Sequence, residues 1–337
     1  DLAINITGDN SYEKYTVDLS IDNENVKSIA AIGSIDFSNL RPIIDLEVFL
    51  EDYDLEAFSP LGQDVISSLR GSVSGKFNLS GFLGNPDMDG TLYLKNAGLK
   101  FPYLNVDYDF EGESTISLFQ QSFNLDDIKL LDTRYKTRGK LLGEISHQNF
   151  DKWVLELEID TNNLVVLDTK NTDEAVYYGT AFMDGNAKIT GLTAQLTIDV
   201  NAKTEAGTNF VVPLKDVETV DNFKLIHFKS DEIKVEDRQR KLAQEAVKGL
   251  SLNIDLEVTK DAEAQVVIDE INGSQLTVRG QGNLQIRIDT RGKFNMFGDY
   301  TIDSGVYDFK YGGFISKPFL IQKGGTVSWS GNPYEAN

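Results

Sequence analysis

Residues 276–288 read Leu-Thr-Val-Arg-Gly-Gln-Gly-Asn-Leu-Gln-Ile-Arg-Ile, with an apolar residue or glycine at each even position and a polar residue at each odd one. Successive side chains of a β-strand point to opposite faces, so this stretch predicts a strand with one apolar and one polar face. The same alternation occurs in residues 153–159 and 250–258. One-sided β-structure is therefore the first prediction of the sequence.

The alternation continues along most of the chain, for example in residues 15–21, 44–50, 73–79 and 194–200. At the usual length of about 5–10 residues per strand, the chain has room for roughly eighteen to twenty strands. Continuous apolar strands, which a parallel sheet buried on both faces requires, are missing. We therefore expect an all-β fold, antiparallel or solenoidal, with few short helices.

Two segments favour helix. Ser59-Pro60 is typical of a helix start, and Leu61, Val65 and Leu69 then share one helix face before Gly71. The second segment is 231–248, where acidic residues come first and Lys248-Gly249 ends the run. Its apolar stripe is narrow, so residues 229–249 are expected to form a mobile or helical insertion.

Composition excludes several classes of function. The 337 residues contain 53 acidic and 32 basic side chains, a formal net charge of −21, which opposes nucleic-acid binding. Cysteine is absent, which excludes thiol catalysis and thiolate metal sites. No run of about 18 apolar residues is present. The sequence begins and stops within patterned segments, so we expect a piece of a longer protein.

The large apolar face must be covered by something. A filled sandwich, a closed barrel and a curled sheet whose groove holds another molecule's apolar parts are all physically available. Periodicity alone leaves these three open.

Three C-terminal motifs carry a family resemblance: residues 298–309 (GDYTIDSGVYDF), 317–321 (KPFLI) and 324–333 (GGTVSWSGNP). This series resembles the C-terminal region of the TamB family, the translocation and assembly module subunit, in a form similar to those of Bacteroidota. Residues 71–99, with Leu79-Ser80-Gly81 and Gly90-Thr91-Leu92, resemble the repeat unit of AsmA-like proteins.

The resemblance implies an elongated β-taco, a curled U-shaped sheet with a hydrophobic groove. It divides the chain into an AsmA/TamB-like β-repeat region (1–228), the insertion (229–249) and a truncated TamB C-terminal region (250–337), in one continuous array. The groove would be lined by Trp153, Leu155, Leu157, Ile159, Leu252, Ile254, Leu256, Leu276, Val278, Leu284, Ile286 and Ile288.

The resemblance also implies a role. Family members are anchored in the inner membrane by a segment outside this chain and bridge the periplasm to the outer membrane. They conduct phospholipids, assist outer-membrane protein assembly, or do both, with a BamA-like partner of the TamA or TamL type. Neither a catalytic residue nor a cofactor or metal is implied. The partner-proximal residues of this chain would be Phe309, Phe319, Ile321 and Trp329.

Two other functions are weighed against this one. A structural or adhesive β-solenoid would need no groove. A polysaccharide-acting β-helix enzyme would need a carboxylate pair, which residues 51–56 could supply, although solvated outer-face charges explain these acids equally simply. His147 and His227 are predicted to be surface or turn residues.

Overall fold

The computed structural model describes residues 2–11, 13–23, 26–58, 67–102, 104–172, 177–213, 250–289, 293–332 and 335–336. These residues form twenty β-strands and one 3₁₀ turn, so the all-β prediction and the expected number of strands are confirmed. The elements are β1 Leu2–Gly8, β2 Lys14–Asn23, β3 Val26–Asp36, β4 Ile43–Asp54, the 3₁₀ turn Leu55–Phe58, β5 Ser67–Phe82, β6 Asn85–Phe101, β7 Val106–Phe110, β8 Ser114–Gln120, β9 Ser122–Asp132, β10 Arg138–Gln148, β11 Lys152–Thr169, β12 Tyr178–Leu192, β13 Gln195–Thr204, β14 Asn209–Pro213, β15 Leu250–Val258, β16 Glu263–Asp269, β17 Ser274–Ile288, β18 Phe294–Tyr311, β19 Ile315–Ile321 and β20 Thr326–Gly331.

The chain forms two compact units. Unit 1 comprises Asp1–Leu167 and Met183–Val200, and unit 2 comprises Asp168–Phe182 and Asn201–Asn337. The three regions predicted from the sequence describe similarity to known families, whereas these units describe compact packing. The three-region division therefore stays a prediction.

Unit 1 is an antiparallel ladder in which β1 to β6 pair in chain order. The long strand β6 then pairs with both β7 and β8, which lie end to end and both pair with β9. The ladder continues through β10 to β11. Hairpin connections of this kind place sequence neighbours side by side, which is why local alternation predicts the ladder.

Unit 2 repeats the end-to-end arrangement. Strands β15 and β16 both pair with β17, and β18 pairs with β17 on one side and with β19 and β20 on the other. One ladder is parallel, between β14 and β16. A parallel pair needs a connection of a dozen or more residues, and 49 residues separate the end of β14 from the start of β16. Local periodicity carries no information about such a pairing.

Bulges and short interruptions bend the strands. In unit 2 they fall at residues 205–208, 259–262 and 322–325, and at a register shift beside Gly280. Polar side chains hold this bend: the Thr208 hydroxyl donates to the Phe182 carbonyl oxygen and accepts from the Phe182 N–H, each at 3.0 Å. Because bulges increase local twist and bend a strand, the sheet curls at this line.

The first predicted helix is partly wrong. Residues 67–71 belong to β5, where Arg70 pairs with Gly98 and Ser67 with Lys100. Cross-strand pairing therefore prevails over the four-residue spacing that favoured helix. Residues 59–66, the second helical segment 231–248 and His227 lie outside the described residues.

Candidate functional site: the inward apolar face

The register places the predicted groove residues of β15 and β17 on one face. Leu252 lies opposite Ile288, Ile254 opposite Ile286 and Leu256 opposite Leu284. We call this surface the inward face. Its polar counterpart, the outward face, carries alternate residues of the same strands.

The inward face of unit 2 extends over the neighbouring strands. Because a side chain shares its face with its cross-strand partner, β16, β18, β19 and β20 contribute further apolar residues through the register: Ala264, Val266, Met296, Tyr300, Ile302, Tyr307, Phe309, Phe319, Ile321, Val327 and Trp329. Through the same register, the charged side chains Asp269, opposite Ser274, and Lys317, opposite Phe309, also fall on this face.

Unit 1 has an equivalent face. Trp153, Leu155, Leu157 and Ile159 lie opposite His147, Ile145, Gly143 and Leu141 on β10. On the other side of β10, Phe123, Leu125 and Ile128 lie opposite Ile145, Gly143 and Leu141. All twelve residues predicted to line a groove therefore lie on the inward face of their own unit.

Burial along the face is uneven. Leu252, Ile254, Ile286 and Ile288 in unit 2 are half-buried, as are Trp153, Leu155, Leu157 and Ile159 in unit 1. Neighbouring strands cover these apolar side chains only in part. An apolar molecule that contacts their exposed surface would expel water from it, which is favourable. This half-buried portion of the inward face is the candidate site.

Other parts of the same face are filled. Around the bend of unit 2, Val278, Tyr300 and Ile302 form a buried cluster. In unit 1, Ile128 and Leu164 are each 1 % exposed. These buried side chains offer almost no free surface to an acyl chain.

A single hydrogen bond shows how tightly unit 1 curls. The Tyr108 hydroxyl on β7 donates to the Val165 carbonyl oxygen on β11 at 2.6 Å. Three ladder steps of about 4.8 Å separate β7 from β11, so a flat sheet would hold them about 14 Å apart. The sheet must fold over itself for the two groups to meet.

Tyr300 marks the centre of the filled bend in unit 2. Its ring lies against Gly280, where a side chain would collide with it. Burial raises the pKa of Tyr300 to about 12. Among the described residues, this buried hydroxyl has no hydrogen-bond partner.

His147 differs from its predicted surface position. Its side chain is buried, stacked on Phe150 with ring centroids 4.1 Å apart and flanked by Trp153 at 5.0 Å. Nδ1 accepts the Phe150 N–H at 3.1 Å, and the buried Nε2 has no hydrogen-bond partner in the part of the chain that the structure describes. Desolvation lowers the pKa of His147, which favours the neutral ring.

The predicted partner-proximal residues also lie on the inward face, near the last strands. Tyr307 stacks with Phe319 at a centroid distance of 6.1 Å, and Phe319 is substantially exposed. In the described part of the chain β19 pairs only with β18, so one of its backbone edges is free. Phe314 is exposed beside that edge, as is Leu320, which sequence reasoning missed.

Two hollows of the described surface lie on the outward side. One, of about 480 Å³, is lined mainly by polar residues such as Glu257, Asn283 and Asp299. Another, of about 340 Å³, is lined by residues such as Lys76 and Asp89. Both differ in chemistry from the inward face, which is an open apolar surface rather than an enclosed pocket. The described residues contain no cluster of side chains suited to hold a metal ion.

Fold and face together define a class, the all-β proteins of the β-taco type, in which a curled sheet has one apolar and one polar side. The family model of the TamB C-terminal domain matches residues 127–337. The chain therefore belongs to the TamB family, a translocation and assembly module of the cell envelope.

Comparison with curated proteins and with solved structures gave no significant match. Within the described residues, no helix is both long enough and apolar enough to cross a bilayer.

Proposed function

We propose that the inward face carries the acyl chains of phospholipids, and that this chain is the periplasmic part of a protein that bridges the inner and outer membranes. The strand register is the observation that best supports this proposal. Twelve apolar side chains, predicted separately from the sequence, share the inward faces, and many of them are half-buried. Catalytic residues have no part in this function.

The energetics support an apolar carrier surface. A phospholipid leaving a bilayer exposes its chains to water at about 0.8 kcal/mol per CH₂, or roughly 12 kcal/mol for a 16-carbon chain. A face of Leu, Ile and Val offsets that penalty through contact, while the headgroup remains in solvent. Because neighbouring side chains are similar, no single position holds the chain strongly, and a lipid can move from one to the next.

The test compares two lysine substitutions on adjacent residues of β17. Ile286 lies inward between Ile254 and Met296, whereas Gln285 lies outward and exposed. Ile286→Lys places a charge where acyl chains would lie, and burial of a charge costs several kcal/mol, so bound lipid should fall about tenfold or more. Gln285→Lys adds the same charge on the outward face and should retain lipid.

Native mass spectrometry of the purified chain and lipid extraction measure occupancy, with circular dichroism to check folding. Ile286→Ala, which keeps the face apolar, serves as a second variant if the lysine prevents folding. Equal lipid content in both lysine variants, or none in the unaltered chain, would contradict the proposal and favour a structural or adhesive role.

We propose further that a BamA-like outer-membrane protein of the TamA or TamL type docks at β19. A free strand edge offers unpaired N–H and C=O groups to an added strand. Leu320 on the outward face and Phe314 in the preceding turn supply exposed apolar surface beside it. A photo-crosslinker at Leu320 should capture the partner in intact cells, whereas one at the outward Glu257 should not; the reverse pattern would exclude this edge.

A further inference from the structure

One edge of unit 1 carries a row of exposed apolar side chains at its hairpin turns. We call it the apolar rim and define it by Phe82, Leu83, Phe119, Phe150 and Leu192. Each is a large side chain with more than a third of its surface exposed, Phe119 reaching 61 %. The register shows that the turns after β5, β8, β10 and β12 lie at the same ends of their strands.

Hydrogen bonds join these turns side by side. Asn149 N–H donates to Asn85 Oδ1 at 3.0 Å, and His147 N–H donates to the Gln121 carbonyl oxygen at 3.0 Å. Thr193 N–H donates to the Trp153 carbonyl oxygen at 3.0 Å. The row is therefore held in place before any partner arrives, which reduces the entropy lost on binding.

The turns of the rim contain few charged side chains for a strongly acidic protein. Residues 82–86, 119–122, 148–151 and 192–195 contain one, Asp151, although a quarter of the whole chain is charged. Near these turns, the Arg41 guanidinium lies over the Phe82 ring at 5.4 Å, and Gln121 donates a hydrogen bond to Asp87. Between the apolar tips stand uncharged polar residues, mainly Asn, Gln, Ser and Thr. A surface for anionic lipid would need a cluster of lysine and arginine side chains, and Arg41 is a single one.

The turns of the rim are regularly spaced. Turns recur at every second strand, about 9–10 Å apart, and the row from β5 to β12 crosses about six strand spacings, or roughly 29 Å. Protein-binding hot spots favour close-packed pockets, whereas separate apolar tips flanked by uncharged polar groups can enter the headgroup region of a bilayer individually. Behind the rim, Phe150 stacks on His147, which adjoins Trp153 of the inward face.

We infer that the apolar rim is a contact surface for a bilayer of zwitterionic lipid, placed beside the inward face of unit 1. This contact goes beyond the proposed carriage of lipid along that face and does not require the face to be occupied. It gives unit 1 a membrane contact of its own, whereas the proposed docking edge at β19 belongs to unit 2.

The absence of cysteine makes a site-specific probe simple. Leu83→Cys places an environment-sensitive fluorophore on the rim, and Tyr93→Cys places one at an exposed aromatic position in the middle of β6. With phosphatidylcholine vesicles, the rim probe should shift to shorter emission wavelength and the Tyr93 probe should not. Vesicle flotation measures the partition coefficient in parallel.

Phe119→Gln and Phe150→Gln should each weaken partitioning about tenfold, since burial of apolar surface contributes about 25 cal/mol per Å². Tyr93→Gln is the matched control and should leave it unchanged. Ile286→Lys should also leave it unchanged, so failure of lipid carriage and failure of rim contact are distinguishable. Binding that requires anionic lipid, vesicle binding indifferent to both Phe variants, or a rim-dependent dimer in light scattering would each overturn the inference.

Discussion

Removal of the Tyr108 hydroxyl is the sharpest test of how unit 1 curls. Tyr108→Phe keeps the ring but deletes the hydrogen bond to the Val165 carbonyl oxygen, which is 2.6 Å away and buried. Loss of one partner leaves the other desolvated and unpaired, a penalty of about 1–3 kcal/mol. At 25 °C this raises the opening equilibrium of the two strands about 5- to 150-fold.

Native-state hydrogen exchange of β7 and β11 measures that equilibrium locally, and denaturant unfolding measures the loss of global stability. Tyr93→Phe removes a hydroxyl from an exposed ring and should change stability by less than about 0.5 kcal/mol. If exchange in β7 and β11 were the same in the Tyr108 and Tyr93 variants, the two strands would not meet through this bond. The closed portion of the inward face would then need another explanation.

Two further predictions concern the pKa of His147 and the backbone conformation at two glycines. Burial lowers the pKa of His147, so the unfolded chain binds a proton at a higher pH than the folded chain does. The stability that the neutral ring contributes is therefore complete above about pH 6.5. It declines as the pH falls toward the pKa of the folded state. Unfolding between pH 7.5 and 5.5 should show this loss, and His147→Phe should flatten it; an unchanged slope would refute the assignment. Gly298→Ala should destabilise unit 2 strongly, because its φ is +118° and a Cβ would overlap the Asn283 carbonyl oxygen. Gly313 has a φ of +74° and open space around it, so Gly313→Ala should lower the stability measured by thermal unfolding by only about 1 kcal/mol. If both glycine variants lost the same stability, the overlap with the Asn283 carbonyl oxygen would be excluded as the cause.

Much of the candidate site could be predicted from sequence because side-chain alternation is a local property. Leu252, Ile254 and Leu256 face the same side of β15 whatever strand lies beside them. The register then places them opposite Ile288, Ile286 and Leu284. The outer polar residues of the same strands follow for the same reason.

The alternation of side chains does not predict which parts of the inward face are half-buried and which are fully buried. Leu164 and Val165 continue the apolar character of β11, yet they are buried while Leu155 and Leu157 are only half-buried. The difference arises because the curl brings β7 across to β11, which involves residues 57 positions apart. His147 is buried because Phe150 and Trp153 of its own hairpin and Phe123 of β9 surround it, an arrangement that depends on the pairing of β9, β10 and β11.

The amino-acid sequence by itself determined that this chain forms one-sided β-strands, which side of each is apolar, and the family signature at its C-terminal end. Only the tertiary structure decided the parallel pairing of β14 with β16, the line along which the strands bend, and the alignment of exposed hairpin tips on one edge of unit 1. The physical reason is that strand alternation depends on neighbours in the chain, whereas curl and edge alignment depend on contacts between strands far apart in sequence.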